Sequence, residues 1–380
     1  ALGVAANDAR TLIIRLRAPA PYLPALLTMP TAMPFLDDGG GEPGRYSDPA
    51  RFVGNGPYRL VEWEPGSHIR LLKNPAFREA CRVAVDEIRY FPVSEPLAEL
   101  NMYRAGELDI TFAVPGSYVE QLRETHAGEL RITPYLATYF LAFDLTDPAL
   151  HNPRLRQALS MAIDRDALVR VTGRGEQPAY GLVPDGVNRY EPARVSWRSL
   201  PPEERLAQAR ALYAQAGYSA AEPLVLTLLH DAADIHETIA LAVSEMWRTT
   251  LGVDVRLDKR EWKNFLATRN NRDEWQVMRF SWVGDFDHPS AFADVFRSTS
   301  PQNLPGYASD DYDRLVGQAA ATVDRDEQMR LYTEAEAMML TDTPIAPLYF
   351  YVSKHLVAPS VTGFENNVFD RHPSRYLKKQ

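Results

Sequence analysis

Along the first third of the chain hydrophobic and polar positions alternate with a period of two. Residues 11–17 put Leu12, Ile14 and Leu16 on one face and predict a strand, ended by Pro19 and Pro21, which cannot donate to a ladder. Runs at 56–63, 68–73 and 85–91 alternate in the same way between the turn clusters Glu64-Pro65-Gly66 and Asn74-Pro75, the pattern of a meandering sheet in one domain. Before them, residues 37–44 hold too much glycine and acid to pack and read as an exposed turn or a linking loop. From Asn152 the period becomes 3.6. Leu155, Ala158, Leu159 and Ala162 repeat along one face, with Asn152 as cap and Pro153 in the first turn. A second helix starts near Asp164 and is broken by Gly173 and Gly175, and further helices span 203–216 and 234–251, closed by Gly217 and Gly252. A last long helix, 327–340, has Asp324 as its cap. Strands are predicted at 223–229, 253–257, 275–282 and 345–352. Helix and strand alternate as in an α/β domain, and this second domain starts near Ala137.

Composition narrows the function classes. A chain of 380 residues holds two or three domains at roughly 100–200 residues each, and 45% hydrophobic with 24% charged residues is a globular balance. Forty-one basic against 50 acidic side chains leave a net charge of −9, which argues against a nucleic-acid partner. No apolar run reaches the roughly 20 residues that cross a bilayer. The single cysteine, Cys81, forms no internal disulfide and leaves the redox compartment open. The chain opens on Ala1 without the charged and apolar regions of a signal peptide, so its start reads as processed or cut.

Most catalytic fingerprints fail. Gly54-Asn55-Gly56-Pro57 and Gly173-Arg174-Gly175 do not continue into a phosphate-binding helix, there is no G-x-S-x-G elbow, and Ala240 stands where a zinc helix starting at His236-Glu237 needs its second histidine. One stretch is chemically dense, from Arg279 to Pro289. Asp285, Asp287 and His288 offer metal ligands, but no distant fourth partner accompanies them. The alternative is a polar loop whose aspartates cap the next turn. Asp285 differs from its neighbours because it follows a Trp-Val-Gly exit from an apolar strand. There a carboxylate is expected to be partly desolvated and to seek a cation such as a ligand amine.

These segments together resemble a known family. GNGPYRLVEWEPG from Gly54, NMYRAGELDI from Asn101, NPRLRQALSMAIDRDALV from Asn152, PAYGLVP from Pro178, EWKNFLATR from Glu261, SWVGDFDHP from Ser281 and APLYFY from Ala346 occur in the order found in periplasmic oligopeptide-binding proteins. These form family 5 of the extracellular solute-binding proteins that feed ATP-driven importers. The resemblance implies an α/β fold of two hinge-linked lobes, of the class II periplasmic-binding-protein type, with a short peptide held between them. A third domain enlarges the first lobe. It implies a periplasmic location, an inner-membrane ABC permease as partner, and neither enzymatic activity, nor cofactor, nor metal. The lobes fall at 35–136 with 353–380 and at 137–352, and 1–34 is a remnant of the extra domain. Alternatives are a ligand-sensing module that signals to a partner protein and a metal-dependent hydrolase.

Carried over by local motif, Asp285 pairs with the peptide amine, and Arg279 and Trp282 occupy neighbouring pocket positions. The resemblance further implies that Trp262 lines a side-chain pocket, that Arg269 stands where an arginine can meet the peptide carboxylate, and that His236, within HDAADIHETIA, approaches the carboxyl end. Without the resemblance, Trp262 reads equally well as core and Arg269 as a solvated helix residue. Some relatives carry a disulfide at the positions of Ala137 and Val283, neither a cysteine here. Relatives also begin with a further stretch that supplies the start of the first lobe and most of the extra domain. The strand at 11–17 is then expected to lack a partner and to be poorly packed or re-paired at a neighbouring sheet edge. A separate N-terminal segment or a second copy of the chain would complete the missing part.

Overall fold

Asn152 opens its helix with the chemistry its position requires. Its side-chain oxygen accepts the Arg154 N–H at 3.0 Å, Pro153 takes the first helical position, and Leu155, Ala158, Leu159 and Ala162 are buried along Pro153–Ala162. Asp324 caps Arg325–Asp342 by accepting the Glu327 N–H at 3.0 Å. Asp234–Leu251 ends at Gly252, whose φ of +77° is the left-handed turn that favours glycine. These elements come from a computed structural model that describes residues 3–16, 19–33, 48–187, 189–219 and 221–380. The turn expected at 37–44 lies outside the described residues.

The main sheet has six strands in the order Gln177–Pro178, Ile345–Leu356, Leu130–Phe143, Val277–Val283, Val225–Asp231, Asp254–Arg260. Val225–Asp231 runs parallel to both Val277–Val283 and Asp254–Arg260. Leu130–Phe143 runs antiparallel to Val277–Val283, with Val277 opposite Phe143 and Val283 opposite Ala137. Residues 136–143 are all buried, as expected of a strand covered on both faces, and the polar Thr138 among them donates its hydroxyl to the Leu182 carbonyl at 2.6 Å. Helix Asp234–Leu251 packs on Val225–Asp231 and Asp254–Arg260.

The chain divides into two compact units. The larger comprises Ala1–Met29, Leu136–Thr172 and Glu176–Tyr351, and the smaller Pro30–Tyr135, Gly173–Gly175 and Val352–Gln380. In the smaller unit Tyr58–Glu64, His68–Lys73 and Glu87–Tyr90 form an antiparallel meander, as the alternation at 56–91 predicts. Its core gathers Leu100, Tyr103, Val114, Val119, Leu122 and Leu356.

The strand near 11–17 is shorter than its pattern, Leu12–Ile14, and finds its partner locally. It pairs antiparallel with Val4–Ala6, which corrects the expectation that it lacks a partner or is re-paired at a neighbouring sheet edge. Leu12 and Ile14 stay 64% and 38% exposed, because a two-stranded ribbon has no layer on which to bury a face. Farther along, Tyr22 stacks on Phe286 and packs on His288, with ring centroids 5.7 and 5.3 Å apart. Among the described residues no helix is long and apolar enough to cross a membrane.

Candidate functional site

Three parallel strands of the larger unit end at one edge of its sheet, and each delivers side chains there. Val225–Asp231 ends in Asp231 and is followed by His236 in the first turn of Asp234–Leu251. Asp254–Arg260 leads into helix Trp262–Arg269, started by Glu261, whose carboxylate accepts the Lys263 N–H at 2.9 Å. Val277–Val283 leads through Gly284 to Asp285. A Cβ on Gly284 would stand 2.7 Å from the Phe292 ring and 2.8 Å from Leu136, so glycine is required for the strand to leave the sheet here. The carboxyl edge of parallel strands is the usual place for a ligand in open α/β sheets.

A cavity of about 340 Å³ opens at this edge, and Trp262, Arg269, Arg279, Trp282 and Asp285 all line it. Five of the six residues singled out in the sequence thus share one wall. Phe265, Phe280, Ser281, Val283 and Gln302 complete the lining. Trp262 is 52% exposed, so it is not core; it lies nearly parallel to the buried Phe265 at 5.7 Å. The Arg279 guanidinium sits 4.9 Å from the Phe265 ring and 5.7 Å from the Trp262 ring, close enough for cation–π attraction. Trp282 is oriented by its indole N–H, which donates to the Ala291 carbonyl at 2.6 Å.

Arg279 is 6% exposed and its charge is met by a residue the sequence reading did not single out. Nη2 donates to Asp231 Oδ2, and the same oxygen lies 2.8 Å from His236 Nδ1, while Oδ1 accepts the Ala233 N–H at 3.1 Å. Burial raises the Asp231 carboxyl, but the His236 hydrogen bond, the Ala233 N–H and the Arg279 charge outweigh it and hold the group below its ordinary value. His236 therefore joins the site through Asp231 and does not line the cavity. The signal for Asp231 was present: an acid at a strand exit, five residues before His236 in the segment already singled out. Arg279 Nε is buried without a hydrogen-bond partner. Arg269 stands 5.8 Å over the Phe280 ring, and burial first, then repulsion from Arg279, pushes its guanidinium below the usual value. The wall thus combines aromatic faces with two cationic groups, chemistry suited to an anionic or planar polar group of a ligand.

Two expectations are corrected. Asp285 is exposed, not partly desolvated, because the chain has left the sheet at Gly284 and the carboxylate stands at the rim. The three neighbouring residues weighed as metal ligands do not converge: the one group of that kind among the described residues lies elsewhere. His288 is buried, with Nδ1 2.9 Å from Ser290 Oγ and Nε2 3.1 Å from Gln328 Oε1. Both ring nitrogens are engaged within the protein, which removes the support for a hydrolytic metal at this loop.

The sequence pattern of bacterial extracellular solute-binding proteins, family 5 Middle, matches residues 1–303. The chain is similar to the periplasmic oligopeptide-binding protein OppA of Salmonella typhimurium, 34% identical over 369 residues that cover 96% of this chain and 67% of the relative. It is similar also to the periplasmic murein peptide-binding protein MppA of Escherichia coli, 33% identical over 368 residues, covering 96% and 68%. Among solved structures, the unliganded open form of MppA matches with a TM-score of 0.87 at 32% identity, over 99% of this chain and 73% of that one. Haemophilus influenzae OppA in complex with RPPGFSPFR matches at 0.77 and 27% identity, over 99% and 75%.

Proposed function

Because the chain belongs to the bacterial extracellular solute-binding proteins of family 5, we propose that it binds short peptides in the periplasm and hands them to an ATP-driven importer of the inner membrane. The observation that carries this reading is that Asp285, Trp262, Arg269, Arg279 and Trp282 line one cavity together. A binder of many peptides holds what every peptide shares. Asp285 takes the α-amino group through a charge-assisted hydrogen bond, strand-like pairing takes the main chain, and side chains enter pockets where water adapts the fit. Arg269, without a carboxylate partner among the described residues, receives the peptide carboxylate or an acidic side chain. Arg279, already paired with Asp231, shapes the pocket through its aromatic contacts. No bond is broken, so the reading assigns no catalytic group. Relatives named for peptides support it: OppA of Salmonella typhimurium and the murein peptide-binding MppA.

Calorimetry with a mixed set of short peptides tests it. Asp285→Asn is expected to cost about 1.5–3 kcal/mol, the worth of a hydrogen bond to a charged group, or roughly tenfold to a hundredfold in affinity. Peptides acetylated at the amino terminus should lose a similar amount on the unaltered protein. Equal binding of free and acetylated peptides would remove Asp285 from the amine site. Absence of any peptide binding, with peptide uptake unchanged in cells lacking the protein, would sink the peptide reading itself.

A further inference from the structure

We propose that the smaller unit carries a binding site for a divalent transition metal, built from His355, Asp370 and His372. None of the three lines the cavity proposed for the peptide. One ligand atom from each lies within 4.8 Å of the others: His355 Nε2 stands 2.6 Å and His372 Nε2 3.1 Å from the same oxygen, Asp370 Oδ1. His355 is buried, and its other nitrogen, Nδ1, lies 2.8 Å from the Thr111 carbonyl oxygen. A carbonyl only accepts, so Nδ1 carries the hydrogen, and in a neutral ring Nε2 then presents a lone pair. That lone pair faces a carboxylate oxygen, which also only accepts. Two acceptors at this distance need a positive species between them, either a proton or a metal ion.

Several features favour the metal. A histidine that ligates through one nitrogen commonly donates the other N–H to a backbone carbonyl, which is the arrangement at Thr111. His372 is held in place by Phe364, ring centroids 3.6 Å apart and nearly parallel. Asp370 has a φ of +55°, a left-handed backbone that aspartate tolerates, and its Oδ1 is within reach of both rings. In a tetrahedral site with ligands at roughly 2.0–2.1 Å, ligand atoms stand about 3.3 Å apart. The His372 contact is already near that spacing, and the His355 contact reaches it by opening about 0.7 Å. The three residues line a cavity of about 760 Å³, which gives an ion a way in and leaves its fourth position to water or a ligand. Two imidazoles and one carboxylate suit zinc, cobalt or nickel better than magnesium or calcium, which prefer oxygen. The ion would tie the segment holding Asp370 and His372 to the strand Ile345–Leu356, which holds His355.

The test uses the full chain, stripped with chelator and titrated with zinc chloride in a calorimeter, with cobalt absorption as a reporter of tetrahedral nitrogen and oxygen ligation. One zinc per chain and a raised melting temperature are expected, with magnesium without effect. His372→Ala and Asp370→Asn should each weaken zinc binding by about tenfold or more, and circular dichroism of the metal-free variants checks that they fold. If Asp370→Asn does not fold, His372→Ala, at a half-buried ring, decides. No saturable zinc binding, or affinity unchanged in His372→Ala, overturns the proposal. So does a nitrogen NMR spectrum in which His355 keeps both ring protons in excess zinc, which would assign the bridge to a proton.

Discussion

Two buried arginines of the larger unit show how differently one residue type is used. Arg165 is fully buried, and its hydrogen bonds among the described residues run to main-chain oxygens and one hydroxyl, not to a carboxylate. Its guanidinium donates to the main-chain oxygens of Ala179, Pro347, Ser160 and Ile163 and to the Ser160 hydroxyl, and burial pushes its pKa down to about 9. Arg279 instead leans on one acid, Asp231, beside an open cavity. Removing that acid strands a buried charge. Asp231→Asn is therefore expected to destabilise the protein by about 3–5 kcal/mol in urea titration; a loss below about 1 kcal/mol would show that water reaches Arg279 freely. The pH dependence follows from the lowered carboxyl. A group whose folded pKa is depressed contributes stability that is complete above its unfolded value and is lost as pH falls through the folded one. The wild type should therefore lose this contribution on the acid side, below the ordinary carboxylate range, and the Asn variant should lack that part of the decline.

At the scale of elements, the pairing of Leu130–Phe143 with Val277–Val283 decides where the site faces. Its register sets Ala137 opposite Val283. Directly opposed antiparallel residues have Cα atoms about 4.5–5.5 Å apart, inside the range a disulfide spans. The double variant Ala137→Cys with Val283→Cys should oxidise and stabilise the chain by about 2–4 kcal/mol. Thiol titration of the denatured oxidised protein should then count one free cysteine, Cys81, which is exposed. Three free thiols would mean that the register is wrong. A melting temperature raised only without reductant would confirm the bond.

On the scale of the whole molecule, the two units rest on cores of different size. The larger has the six-stranded sheet and its helices; the smaller depends on a cluster around Leu100, Tyr103, Val119 and Leu122. Five of the six tryptophans, Trp197, Trp247, Trp262, Trp275 and Trp282, belong to the larger unit, and Trp63 to the smaller. Leu100→Ala should cost the smaller unit about 2–5 kcal/mol. Its unfolding should then separate as an early far-UV transition that leaves most tryptophan fluorescence unchanged. A single shifted transition in both signals would mean that the units unfold together. Much of the local structure was legible in the chain itself. His68–Lys73 and Asp234–Leu251 occur as the pattern predicts, and Asn152 and Asp324 cap as expected. Periodicity, caps and closing glycines act within a few residues, so the sequence carries them directly. Motif order likewise pointed to five residues that line one cavity. What the sequence did not show was which strand lies beside which, that Asp231 meets Arg279 across 48 positions, that Asp285 ends exposed, and that His355 converges with Asp370 and His372. Those depend on sheet register and on the burial that follows from it, and only the tertiary structure decides them, because a side chain's partner is set by the path of the whole chain while its period is set by its neighbours.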